Sequence, residues 1–118
     1  MNKFKLGIFL VVIVALTSTS SVRAETLNEQ VARNAANCLA GHIAVNSAEY
    51  QSGESGKYLL LIKSRVGDEQ VMPLVKKSAD NLKASVEIFG GTTQEEGSWL
   101  IQEYCPAIND ILEQLGKN

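Results

Sequence analysis

Three segments of this chain space their apolar residues in alternating steps of four and three, and that spacing commits most of the sequence to helix. The first runs Val31, Ala35, Cys38, His42 and Val45. The second runs Val75, Ala79, Leu82, Val86 and Phe89. The third runs Ile101, Cys105, Ile108, Leu112 and Leu115, widened by Tyr104 and Ile111. Each series lays a stripe along one side of a helix, and the stripe has to be buried against a neighbour. A strand would alternate with a period of two, and none of the three segments does.

Residues that start and stop helices divide the chain accordingly. Thr26 or Glu25 opens the first helix, which fades near residues 46–49. Gln51-Ser52-Gly53-Glu54-Ser55-Gly56 reads as a flexible connection, being rich in turn-forming residues. Tyr58 to Val66, with Leu59-Leu60-Leu61-Ile62 inside it, predicts a short buried helix; a strand is the lesser option because β-branched residues are few. Gly67 is a stop and Asp68 a new N-cap. Pro73 either occupies the first turn of the third helix or kinks a longer one. Gly90-Gly91 ends that helix. Thr93-x-x-Glu96 is a capping box for the last helix, with Thr92-x-x-Glu95 as the rival register. Pro106 predicts a bend just after Cys105. The fold expected is all-α: a small four-helix bundle, irregular where the prolines fall, with no internal repeat.

Residues 1–24 carry a different pattern. Lys3 and Lys5 form a positive start, Leu6 to Leu16 is apolar, Thr17 to Ser21 is small and polar, and Val22-Arg23-Ala24 suits a signal peptidase. The apolar run of roughly a dozen residues is short for a bilayer-spanning helix. Residues 1–24 are therefore read as a cleavable signal peptide, and residues 25–118 as one exported helical domain. The place of action expected is the periplasm or the outside of the cell. No cysteine follows the cleavage site and no second long apolar segment occurs, so no lasting membrane anchor is expected.

Export changes the charge balance. The chain holds 11 basic and 13 acidic residues; the signal removes Lys3, Lys5 and Arg23, leaving eight against thirteen, a net of about −5. Such a surface excludes nucleic acid as the expected partner, because phosphate binding needs clustered Lys and Arg. It equally opposes docking on anionic lipid.

In an oxidising compartment the only two cysteines, Cys38 and Cys105, are expected to pair. Both lie on apolar stripes, so both point inward and can meet. The bridge would tie the first helix to the last across about 67 residues, worth roughly 4 kcal/mol on a chain-entropy estimate. A redox role is disfavoured because no Cys-x-x-Cys spacing lowers the thiol pKa. No metal site is expected, since two cysteines and one histidine fall short of four ligands.

Candidates for chemistry are sparse. His42, the only histidine, lies one turn after Cys38 on the same stripe; it reads as a core histidine that could also sense pH. Glu95, Glu96, Glu103, Asp110 and Glu113 read as the solvated outer side of the last helix, with no cleft to separate their pKa values. The recurring nucleophile, zinc-protease, phosphate-loop, calcium-loop and haem-attachment motifs are absent from the sequence. No enzyme and no cofactor is expected. Trp99 falls nearly opposite the third stripe, where it either covers an end of the bundle, packs under the Gln51–Lys57 loop or serves as a partner-binding residue; Tyr50 is placed with it as a second candidate. The expected role is protein binding, of an inhibitor, immunity, chaperone or envelope-accessory kind. A carrier holding a small apolar ligand between its helices is the alternative. Neither the partner nor the oligomeric state is specified by the sequence.

Overall fold

Thr26 starts the first helix with a reciprocal cap: its hydroxyl accepts from the Glu29 N–H at 3.1 Å, and the Glu29 carboxylate accepts from the Thr26 N–H at 2.9 Å. The computed structural model describes residues 24–117, so all of the predicted signal except Ala24 lies outside the described residues. The regular structure within them is entirely helical: α1 Leu27–Val45, α2 Ala48–Ser52, α3 Gly56–Val66, a 3-10 turn Asp68–Gln70, α4 Val71–Phe89 and α5 Thr93–Gly116. Five helices thus stand where four were expected. The addition is α2, a short helix capped by Ser47 in a stretch whose turn-rich composition reads as loop.

The apolar run at residues 58–66 is helical, which removes the strand option. Gly67 ends it at φ 99°, a backbone region that L side chains rarely adopt. Asp68 then opens the 3-10 turn rather than capping α4; no side-chain cap bond forms there. Pro73 is the third residue of α4, inside the first turn, where a backbone N–H has no helical partner to lose. The cap of α5 uses the rival register. Thr92 is extended and exchanges two 3.0 Å bonds with Glu95, while Thr93 is already helical. With Gly90 and Gly91 making the turn out of α4, Thr92 is the first residue able to cap. α5 runs on through Pro106, on an exposed side, where Gln102 loses the helical donor for its carbonyl.

α1 is the hub, packing most extensively on α5, then on α3, then on α4. Its buried residues, Val31, Ala32, Ala35, Ala36, Cys38, Leu39, Ala40, Gly41 and His42, go well beyond a single stripe. Alanine and glycine make this possible, because side chains this small let three helices approach one axis. Tyr58, Ile62, Ile108 and Cys38 are the largest fully buried side chains. α1 and α5 are joined by the Cys38–Cys105 disulfide, with Cα atoms 5.0 Å apart. From there they run antiparallel to a point where Gly41 faces Gly97 and Ile101. The far ends of two stripes are not buried: Phe89 and Leu115 are exposed, each lying past the last side chain that packs over its helix.

Candidate functional site

Asn46 ends α1 in the left-handed conformation, φ 51° and ψ 53°, its N–H directed at the carbonyls of His42 and Ile43. Asparagine tolerates this region better than most residues. The resulting turn brings Ser47 back over the end of the helix. Its hydroxyl oxygen accepts from the Tyr50 N–H at 3.1 Å, capping α2, and lies 2.7 Å from His42 Nδ1. The hydroxyl keeps a second lone pair and a proton, so it can serve either tautomer of the ring.

His42 itself is 7% exposed. Its ring stacks on Tyr58, with centroids 5.6 Å apart and planes 20° from parallel. Burial holds its pKa below the ordinary imidazole value; the Glu49 carboxylate, 3.8 Å from Nε2, opposes this, and the Lys57 ammonium adds to it. The fully buried Tyr58 directs its hydroxyl between two acceptors, Asn109 Oδ1 at 2.9 Å and Glu49 Oε2 at 3.2 Å. Burial and the adjacent Glu49 charge push its phenol up to about 12, so it stays a neutral donor. Lys57 Nζ lies 3.6 Å from Glu49 Oε2 and 5.3 Å from the Tyr58 ring centroid. Glu49, which the sequence did not single out, therefore collects bonds and charge from three sides.

Beside this network is the disulfide. One sulfur from each of Cys38 and Cys105 and a ring nitrogen of His42 lie within 4.8 Å of one another, and all three residues are buried. With both sulfurs bonded to each other, neither is a nucleophile or a ligand in this state.

Two clefts open elsewhere. The larger, about 920 Å³, lies among the starts of α1 and α4, the end of α3 and Tyr104. Its lining is polar and mixed in charge, with Glu25, Arg33, Asn37, Arg65 and Lys77 among its members. Arg33 grips Glu25 through two bonds of 2.8 and 3.0 Å and holds the exposed Glu25 carboxyl below the ordinary carboxylate range. The smaller, about 250 Å³, is an apolar groove between α1 and α4 lined chiefly by Ala40, Ile43, Ala44, Val75, Ala79 and Leu82.

The aromatic candidates fall outside both clefts. Trp99 is 49% exposed and meets Tyr104 edge-on, with centroids 6.2 Å apart. Tyr50 is 41% exposed on α2, and no ring contact joins it to Trp99 among the described residues. More exposed than either are Ile88 at 72% and Phe89 at 83%, at the end of α4. Phe89 carried a legible but misleading signal: it is in register with the core residues Val75 and Leu82, seven residues beyond the latter. Of the acidic residues on α5, Glu103, Asp110 and Glu113 are exposed, Glu96 is half-buried, and Glu95 is engaged in the cap.

Comparisons with protein families, curated proteins and solved structures find no match for this chain.

Proposed function

We propose that the chain is an exported protein that works by binding another protein, through the apolar face that α4 and α1 present together. The observation that carries this reading is Phe89, left in solvent two turns beyond Leu82 of the apolar groove. Large apolar side chains beside a carbon-lined groove are costly to leave in water, and such surfaces mark interaction sites. Phe89 extends the Val75–Ala79–Leu82 line by helical register, so a partner seated in the groove would reach it. Ile43, 40% exposed on the opposite wall, completes the face. Trp99 is a secondary contact in this reading, since part of its ring is already engaged with Tyr104. Export is supported by the disulfide.

The apolar-ligand carrier has less behind it. The apolar groove, at about 250 Å³, is below the roughly 300–1,000 Å³ of ordinary ligand sites.

The test is site-specific photocrosslinking in intact cells, with the reactive group at Phe89, at Ile43 and, as control, at the exposed Glu113 on α5. A discrete protein adduct from Phe89 and Ile43 but not from Glu113 is expected, and Phe89→Ser should abolish the Ile43 adduct. Equal adducts from all three positions, or none from Phe89 and Ile43, would overturn the proposal. Comparing Trp99→Ala in the same assay reports the secondary contact.

A further inference from the structure

Cys38 and His42 stand four residues apart on α1, so their side chains project from the same side of the helix, one turn apart. Cys105 reaches the same point from α5, and the three ligand atoms lie within 4.8 Å of one another. We propose that the reduced chain holds a zinc-class metal ion at Cys38 Sγ, Cys105 Sγ and a His42 ring nitrogen, the fourth position being left for a water molecule or Glu49. The disulfide and the metal site are then alternative states of one cluster.

The donor set fits the ion. Borderline-soft divalent metals take thiolate and imidazole together, with Zn–S near ~2.3 Å and Zn–N near ~2.0 Å, and three protein ligands with one open position is an ordinary arrangement. A tetrahedron of that size puts its two sulfurs roughly 3.8 Å apart. Helices whose Cα atoms are already 5.0 Å apart at Cys38 and Cys105 allow this by side-chain rotation, without separating α1 from α5. Two thiolates neutralise a divalent ion, so with water in the fourth position the loaded cluster brings no net charge into the core, which removes the main cost of burying it.

The surroundings of His42 match those of a metal-bound histidine. Such a ring gives its other N–H to a fixed acceptor, which orients it and keeps the ligating nitrogen deprotonated. Ser47 Oγ, 2.7 Å from Nδ1, is placed to accept that proton, and it is itself fixed by the Tyr50 N–H. This leaves Nε2 as the ligating atom. The Tyr58 ring stacked on the imidazole restricts its rotation, and the Glu49 carboxylate lies 3.8 Å from Nε2.

The exchange between states balances as follows. A dithiol reductant gives two electrons and two protons to the Cys38–Cys105 bond and leaves as its own disulfide. The S–S bond breaks and two thiols form. The metal ion then displaces both thiol protons to solvent as the two metal–sulfur bonds form. Reoxidation reverses the sequence and expels the ion. A chain built this way keeps α1 and α5 linked under oxidising and reducing conditions alike.

The experiment titrates Co2+, and then Zn2+ in competition, into protein reduced with a phosphine and desalted without oxygen, next to oxidised protein handled identically. Expected are one ion per reduced chain, thiolate-to-cobalt charge-transfer absorption, and no such signal from the oxidised chain. His42→Gln should weaken binding at least tenfold and change the cobalt spectrum; its fold is checked in the oxidised form, where the disulfide secures it. Ser47→Ala should weaken binding by about tenfold at unchanged stoichiometry. If the reduced chain loses helix and Zn2+ restores it, the proposal is also supported. A reduced wild-type chain that takes up no ion, or a His42→Gln chain that binds as tightly with the same spectrum, would overturn it.

Discussion

Gly41 of α1 and Gly97 of α5 meet backbone to backbone. A Cβ on Gly41 would lie 2.7 Å from the Gly97 carbonyl oxygen, and one on Gly97 would lie 2.7 Å from the Ala44 Cβ and 3.0 Å from the Gly41 carbonyl oxygen. The contact is reciprocal and involves main chain, so neither side can move aside cheaply. It sits about one turn beyond the disulfide on α1 and about two turns beyond it on α5, and sets how closely the first and last helices pack.

Gly41→Ala and Gly97→Ala should each destabilise the protein by about 1–3 kcal/mol, the usual cost of forcing a methyl into a filled interface. Alanine is the better helix former by about 1 kcal/mol, so a purely local view gives the opposite sign. Gly116→Ala, with nothing near its Cβ position, serves as the control and should not destabilise. Urea unfolding of the three variants is the measurement.

The disulfide prediction concerns Cys38→Ser. In oxidised protein, with a chelator present, it should lower stability by up to about 4 kcal/mol, and in reduced protein it should change little. Thermal melts of variant and wild type in both states decide it; equal melting of the two oxidised proteins would show that the bridge does not act as a staple.

The pH dependence follows from His42. Its folded pKa lies below the ordinary 6.5, so the unfolded chain binds a proton that the folded chain resists. Stability from this group is therefore complete above about pH 6.5 and declines as the pH falls from there towards the lowered folded value. The groups facing the ring are Ser47, Glu49, Lys57 and Tyr58, and Glu49 limits the decline by favouring the protonated ring. His42→Gln should flatten the stability profile between pH 7.5 and pH 5. Chemical unfolding at those two values, giving the same difference for both proteins, would end this account.

The two candidate capping boxes separate cleanly. Thr92→Ala should cost about 1 kcal/mol, because it removes the bond to the Glu95 N–H at the start of α5. Thr93→Ala, at an exposed helical position, should stay within about 0.5 kcal/mol of wild type.

The helices α1, α4 and α5 were legible because a step of four and three is a property of one helix, independent of its neighbours. The disulfide was legible from cysteines lying on two such stripes. Three things were not. The short helix α2 depends on Ser47, placed by the left-handed turn at Asn46, and turn-forming residues read the same in a loop. The spread of burial around α1 was hidden because alanine gives little hydropathy signal whichever way it faces. Phe89 kept perfect register with the core line, yet register cannot say where the partner helix stops covering it.

By itself, then, the sequence determined that the described chain is helical, where most helices start and end, and which two cysteines could bridge, since these follow from local backbone preference and side-chain spacing. Only the tertiary structure decided which residues share a site. His42, Ser47, Glu49, Tyr58, Asn109 and the two cysteines come from four helices and one turn, up to 71 residues apart in the chain (Cys38 to Asn109). The Gly41–Gly97 approach likewise exists only because α1 and α5 cross there. Contacts between distant segments are fixed by the joint packing of all the helices, and no single stretch of sequence carries that information.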